Sequence, residues 1–129
     1  MKVIILDDSR TDSYLASQVA KNYFSEVEVC GTPAEFRAAM RKEPLPSLAL
    51  VDVHIGDLHN GISELASLKE QNTSVSQVPV VIVTASTDKA LHNFALDNGA
   101  DAVIVKPINT LNLGPIIQTL VLTANRRGA

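Results

Sequence analysis

Short apolar runs alternate along the whole chain with longer amphipathic segments, and this alternation limits the possible folds most strongly. Five runs rich in valine, isoleucine and leucine lie at 2–6, 26–30, 47–51, 79–84 and 102–105. Apolar runs of this length are typical of parallel strands that are buried on both faces. Eight β/α units are needed to close a barrel, so five units predict an open, doubly wound α/β sheet covered by helices.

Five helices are predicted to connect and follow these strands. The first is capped by Ser9, and the second begins near Thr32 and Pro33. The third and fourth cover about 61–73 and 87–98, the fourth ending at Asn98-Gly99. The predicted inward-facing residues are Leu15, Val19, Tyr23; Phe36, Met40; Ile62, Leu65, Leu68; Leu91, Phe94, Ala95; and Leu113, Ile116, Ile117, Leu120, Ala124. We expect the fifth helix to begin near Asn112, because Pro115 is tolerated only in a first helical turn.

Length and composition indicate one ordered domain, 1–129, with a core from about 2 to 125. The chain has 129 residues, of which 46% are hydrophobic, and a formal charge of −3. This charge argues against direct nucleic-acid binding, which normally needs a clustered basic surface. Without a signal peptide or an apolar run long enough to cross a bilayer, the expected location is the cytoplasm. The single cysteine, Cys30, is expected to be a small core residue.

Acidic residues follow two of the predicted strands. Asp7 and Asp8 come directly after the first run, and Asp52 follows the third. If these strands are neighbours, the three carboxylates converge at the carboxyl end of the sheet, where open α/β sheets bind ligands. Closely spaced buried carboxylates require a cation, and oxygen ligands favour Mg²⁺. The sequence therefore predicts a magnesium site.

A hydroxyl group and an ammonium group are predicted at the same edge. Thr84 ends the fourth run and Lys106 follows the fifth. Carboxylates, a hydroxyl and a fixed positive charge together suit phosphoryl chemistry. The three histidines, His54, His59 and His92, have no shared ligand spacing that would indicate a second metal site.

In this order, the residues resemble the receiver domain of two-component response regulators. The matching motifs are Asp7-Asp8, Asp52, Thr84-Ala85, Lys106-Pro107 and the run "NGADAVIVKP" at 98–107. The resemblance extends over almost the whole chain. It implies a flavodoxin-like sheet of strand order 2-1-3-4-5 with five helices, and a cis peptide bond between Lys106 and Pro107.

The resemblance also implies a role for each site residue. Asp52 would be the phosphoacceptor, Asp8 the principal Mg²⁺ ligand with Asp7 as its partner, and the backbone carbonyl of His54 a further ligand. Thr84 would bind a phosphoryl oxygen, and Lys106 would pair with the phosphoryl group. The His54 side chain, two residues past Asp52, is placed to reach the phosphoryl group or its attacking water.

Two positions depart from the family pattern. The family has a proline and then a glycine after the phosphoacceptor, whereas here Gly56 replaces the proline and Gly61 comes one residue late. Val103 stands three residues before the lysine, where the family usually carries an aromatic switch residue. These departures predict a flexible loop after Asp52 and an altered route for the output signal.

The expected function is that of a stand-alone receiver, a phosphoacceptor with slow autodephosphorylation rather than an ordinary enzyme. Its phosphodonor would be a sensor histidine kinase or phosphotransfer protein, and the signal would pass to an output partner or to a homodimer formed through helix 4, strand 5 and helix 5. One alternative is a degenerate receiver that docks without phosphorylation. Another is a hydrolase of the haloacid dehalogenase type, suggested by "VDVH" at 51–54 but opposed by the order of the acidic residues.

Overall fold

A parallel five-stranded sheet forms the centre of the computed structural model, which describes residues 1–55, 59–71 and 73–122. The strands are β1 (Lys2–Leu6), β2 (Glu26–Cys30), β3 (Leu48–Asp52), β4 (Val80–Thr84) and β5 (Ala102–Val105). Their order is β2-β1-β3-β4-β5, and every neighbouring pair is parallel. The predicted strand order and fold class are confirmed.

Five helices connect or follow the strands, as predicted. They are α1 (Arg10–Ala20), α2 (Pro33–Met40), α3 (Gly61–Glu70), α4 (Lys89–Asp97) and α5 (Thr110–Ile116). A 3-10 turn covers Ser74–Gln77, a π-helical turn covers Ile117–Leu122, and two-residue strands at His54–Ile55 and His59–Asn60 pair antiparallel. Within the described ranges, no helix is long and apolar enough to cross a membrane.

The core lies on both faces of the sheet, because successive side chains of each strand point to opposite sides. In β1, Ile4 and Leu6 belong to the cluster that contains buried residues of α2, α3 and α4. Val3 and Ile5 belong to the cluster that contains buried residues of α1 and α5. Cys30 is buried within the first cluster, as predicted.

The inward faces of two helices differ from the prediction. Leu15 is 45% exposed, and the buried residues of α1 are Ser13, Ala16 and Ala20. Phe94 is 54% exposed, and Ala95 is the buried residue of α4. In both helices the small alanine side chain lies in the core while the larger residue beside it faces outward. The predictions of Leu15 and Phe94 as inward residues were therefore wrong.

Helix α5 begins earlier than its proline suggested. Asn109 and Asn112 cap the helix reciprocally: each backbone N–H donates to the other's side-chain oxygen, at 2.8 and 3.0 Å. This capping box starts the helix at Thr110, so the predicted start near Asn112 was wrong. Pro115 lies inside the helix and is followed directly by the π-helical turn. Such wider turns accommodate a break in the regular hydrogen-bond ladder.

The remaining helix boundaries agree more closely with the sequence. Ser9 accepts a hydrogen bond from the first turn of α1, as its predicted capping role requires, and Thr32 caps α2, which begins at Pro33 where the sequence placed it. Helix α3 ends at Glu70 rather than near residue 73. Helix α4 ends at Asp97 with Asn98 as its C-cap, and the next residue, Gly99, has a positive φ of 108° that favours glycine. The predictions for Gly56 and Ala124 fall outside the described residues.

Candidate functional site

Three carboxylates meet at the carboxyl end of the sheet. The ladder between β1 and β3 pairs Leu6 with Val51, so Asp7 and Asp52 follow at the same level. Both are buried, at 6% and 7% exposure, whereas Asp8 is exposed. One carboxylate oxygen from each of the three lies within 4.8 Å of the other two. The predicted convergence of the acidic residues is therefore present.

Lys106 brings a positive charge directly to this group. Its Nζ atom donates hydrogen bonds to Asp12 Oδ2 at 2.9 Å and to Asp7 Oδ2 at 3.1 Å. It also forms an ion pair with Asp52 Oδ1 at 3.3 Å. The Lys106–Pro107 peptide bond is cis, as predicted. One lysine therefore contacts three carboxylates.

The electrostatics of the site reflect this excess of negative charge. Burial and the neighbouring charge of Asp7 raise the pKa of Asp52 to about 6, although Lys106 acts in the opposite direction. Burial alone would lower the pKa of Lys106, but its hydrogen bonds to Asp12 and Asp7 and the charge of Asp52 raise it above its ordinary value. Lys106 therefore stays protonated. The ionised form of Asp52 is less favourable than that of an ordinary aspartate, because burial and the charge of Asp7 oppose it.

Thr84 lies at the same edge, on the strand next to the phosphoacceptor candidate. Asp52 pairs with Val83 in the ladder between β3 and β4, and Thr84 follows. Its carbonyl accepts a hydrogen bond from the Lys106 backbone N–H at 2.7 Å. The buried Thr84 hydroxyl oxygen accepts from the Ser86 N–H at 3.0 Å, so the hydroxyl proton can be donated to another acceptor.

Gly61 holds the start of α3 against the backbone of Asp52. A Cβ atom at position 61 would lie 1.9 Å from the Asp52 carbonyl oxygen, which is much closer than a carbon atom can approach. The Gly61 N–H donates to the Val53 carbonyl at 2.7 Å. Only glycine permits this approach, which explains why a glycine closes the segment after Asp52.

The remaining residues singled out in the sequence are His54, Val103 and Pro107. The His54 side chain is exposed on its two-residue strand. Val103 is partly buried and packs against the cluster on the α2–α4 side of the sheet. Pro107 lines a cleft together with Leu15, Ile108 and the carboxylates around Lys106. These placements alone assign no role to His54 or Val103.

Asp12 is a site residue that was not predicted. It is the third residue of α1, and its N–H donates to the Ser9 hydroxyl at 3.2 Å. Acidic residues are common in a first helical turn because they interact favourably with the helix dipole, so the residue type alone does not distinguish Asp12. A usable signal was present: Asp12 lies one helical turn after Asp8, and its side chain therefore returns to the same edge.

A family model provides the deciding comparison. The model described as "Response regulator receiver domain" matches residues 3–118. The chain belongs to the response regulator receiver family. Receiver domains are phosphoacceptors that interact with histidine kinases and output domains, and they bind Mg²⁺ at an acidic pocket. The group formed by Asp7, Asp8 and Asp52 fits such a pocket, because it offers three carboxylate oxygens close together.

Curated relatives of this receiver include longer regulators. It is 30% identical over 82% of its length to the "Probable C4-dicarboxylate response regulator DctR" of Bacillus subtilis (strain 168), of which it covers 46%. It is 28% identical over 92% of its length to the "TorCAD operon transcriptional regulatory protein TorR" of Escherichia coli O157:H7, of which it covers 49%. The receiver thus spans about half the length of these relatives.

Solved structures share the fold of this receiver over nearly the whole chain. A CheY-like response regulator receiver domain protein from Methanospirillum hungatei JF-1 has a TM-score of 0.81 at 25% identity, covering 98% of this chain and 97% of that one. The chemotaxis protein CheY4 of Vibrio cholerae has a TM-score of 0.80 at 23% identity, covering 92% and 97%. The latter similarity concerns the fold alone.

Proposed function

We propose that this receiver accepts a phosphoryl group on Asp52 from a phosphohistidine of a sensor kinase or phosphotransfer protein. The observation that supports this most directly is the position of Lys106, whose Nζ contacts both buried carboxylates, Asp7 and Asp52, at 3.1 and 3.3 Å. A nucleophile, a fixed cation and an adjacent acid are then present at one point of the sheet edge.

In the proposed reaction, an Asp52 carboxylate oxygen forms a bond to phosphorus while the bond between phosphorus and the donor's histidine nitrogen breaks. Asp52 must be ionised to attack, and with a pKa of about 6 most of it is ionised at neutral pH. Lys106 offsets the repulsion between the carboxylate and the incoming phosphoryl oxygens. The Thr84 hydroxyl proton serves as a donor to one of those oxygens.

The acidic group would hold the metal ion that this reaction needs. We assign Asp8 and Asp52 as direct Mg²⁺ ligands, with the His54 backbone carbonyl as a third and Asp7 as their partner. When bound, Mg²⁺ neutralises charge on the carboxylates and on the transferring phosphoryl group. The donor set supports this assignment, because Asp7, Asp8 and Asp52 place three carboxylate oxygens close together and Lys106 contacts two of these acids.

Output is proposed to pass through a partner that binds the phosphorylated form, or through homodimerisation at the face formed by α4, β5 and α5. Thr84 is linked to this face through its neighbour Ser86, whose carbonyl lies 2.8 Å from His92 Nε2 on α4. Val103 has one stiff side-chain torsion and no ring to swing. We therefore assign the signal to the backbone after Thr84 rather than to a side-chain switch at position 103.

Intact mass after incubation with acetyl phosphate and Mg²⁺ tests the proposal. Wild type should gain one phosphoryl group, and the gain should disappear with EDTA. Asp52→Asn should gain none, because an amide is a poor nucleophile. Asp97→Asn is the matched control: it removes the same charge from an exposed position on α4 and should be labelled like wild type. An unlabelled wild type would instead support docking without phosphorylation.

A further inference from the structure

Asp12 makes the shortest of the three carboxylate contacts of the Lys106 ammonium group and differs from the other two acidic residues around it. The Lys106 Nζ lies 2.9 Å from Asp12, compared with 3.1 Å from Asp7 and 3.3 Å from Asp52. The Asp12 side chain is 42% exposed, whereas those of Asp7 and Asp52 are 6% and 8% exposed. The lysine is therefore held most closely by the carboxylate that lies nearest to solvent.

The three contacts differ in how easily they can be broken. Asp7 is fixed from its other side, because its Oδ1 accepts the Ser9 N–H at 2.9 Å, and a buried charge that loses its partner is costly. Asp52 is the proposed reacting group. Asp12 is half exposed, so water can replace the lysine at its carboxylate, and such exposed ion pairs contribute little to stability.

An ammonium group has three protons to donate, and here three carboxylates already surround it. A phosphoryl group on Asp52 would need at least one of these donors for its own oxygens. The contact with Asp12 is the one that can be given up at the lowest cost. Asp12 also lines the cleft that contains Asp52 and Lys106.

We propose that Asp12 is a positioning residue that restrains Lys106 before phosphoryl transfer and releases it when the phosphoryl group arrives. This inference rests on the proposed function of Asp52. It assigns to Asp12 a restraining effect: the residue slows phosphorylation of the resting protein and weakens the hold on the bound phosphoryl group. It acts through Lys106 and needs no contact with the donor.

The test compares wild type, Asp12→Asn and Asp97→Asn for their rate of labelling by acetyl phosphate with Mg²⁺, and for beryllofluoride affinity by NMR titration. Asp12→Asn should be labelled about two- to fivefold faster, the range that the loss of a weak ion pair allows, and should bind beryllofluoride tighter by a similar factor. Asp97→Asn should match wild type in both measurements. The Mg²⁺ affinity of Asp12→Asn should also stay close to that of wild type.

Three results would overturn the inference alone: labelling of Asp12→Asn at or below the wild-type rate, an equal gain in Asp97→Asn, or a large loss of Mg²⁺ affinity in Asp12→Asn. The last would make Asp12 a metal ligand rather than a partner of Lys106. A wild type that accepts no phosphoryl group and binds no beryllofluoride would overturn the proposed function together with this inference. The two failures are therefore distinguishable within one set of experiments.

Discussion

Two lysines near opposite ends of the sheet are both surrounded by acceptors, but their charge balance differs. At the carboxyl end, Lys106 contacts three carboxylates, those of Asp7, Asp12 and Asp52. At the amino end, Lys69 donates to the carbonyls of residues 76 and 78 at 3.3 and 3.0 Å and pairs with one carboxylate at 3.6 Å.

The amino-end network is complete as it stands. Asp101, the partner of Lys69, also accepts the Val80 N–H at 2.8 Å, so one cation meets one anion and the remaining donors meet neutral carbonyls. In the carboxyl-end network, among the described contacts, three carboxylates meet one ammonium group, so anions outnumber cations. Lys69, whose charge is neutralised by one carboxylate, is therefore expected to stabilise the fold. Lys106, which is surrounded by an excess of carboxylates, is expected to take part in the chemistry.

The largest effect is expected from replacing each lysine by methionine. Lys106→Met should slow labelling by acetyl phosphate about a hundredfold, because a preorganised donor to developing charge is worth this much or more. Lys69→Met should leave that rate close to wild type and lower the free energy of unfolding by about 1 kcal/mol, because two carbonyls lose a charged donor. Intact-mass kinetics and urea unfolding measure the two effects. Similar slowing in both variants would remove the distinction between the networks.

Removing one negative charge should affect stability in opposite directions at the two ends. The pKa of Asp52 is about 6 in the folded protein, compared with about 3.9 in an unfolded chain, so the folded state holds this proton more tightly. The resulting contribution to the free energy of unfolding is fully present below pH 4 and is lost as the pH rises through 6. In EDTA, Asp52→Asn should therefore exceed wild type in free energy of unfolding by about 2 kcal/mol at pH 7.5, and by little at pH 4.

Asp101→Asn is the matched variant for this measurement. The amide can still accept the Val80 N–H, but the ion pair with Lys69 is lost, so stability should fall by less than about 1 kcal/mol at pH 7.5. Urea unfolding at both pH values gives the comparison. If Asp52→Asn were less stable than wild type at pH 7.5, the excess of negative charge would not be the dominant feature of the carboxyl end.

A smaller effect is expected from the exposed acid. Asp8→Ala should weaken Mg²⁺ binding about tenfold, because one of the two carboxylates assigned as direct ligands is lost while Asp7 and Asp52 stay in place. Isothermal titration with MgCl₂ measures this, and Asp97→Asn again controls for net charge. An unchanged affinity in Asp8→Ala would show that the metal lies elsewhere.

The smallest effect is expected in the route by which the signal leaves the site. Beryllofluoride should shift backbone amides between residues 84 and 92, while side-chain signals of Val103 move little. The reason is that Thr84, Ser86 and His92 are connected by hydrogen bonds, whereas Val103 packs in the core without a switching torsion. Comparison of NMR spectra with and without beryllofluoride measures this. A rearrangement centred on Val103, with 84–92 unchanged, would contradict the proposed route.

The sheet and most of the site could be predicted because they depend on local sequence. A continuous apolar run followed by an acid marks a buried strand and its end, as at Asp7 and Asp52. The start of α5 could not be predicted, because the capping by Asn109 and Asn112 outweighed a rule about Pro115. Asp12 was missed for another reason: it lies within α1 rather than at the end of a strand, and an acid in a first helical turn is common without any site.

The contact between Gly61 and the Asp52 carbonyl also bears on how this chain can be recombined with its relatives. A side chain at position 61 would clash with the Asp52 carbonyl, so an exchanged segment needs a glycine at this contact whatever its length. A chimera that receives a shorter segment should fold only if it keeps a glycine against that carbonyl. The segment is therefore best exchanged as one cassette that includes its own glycine.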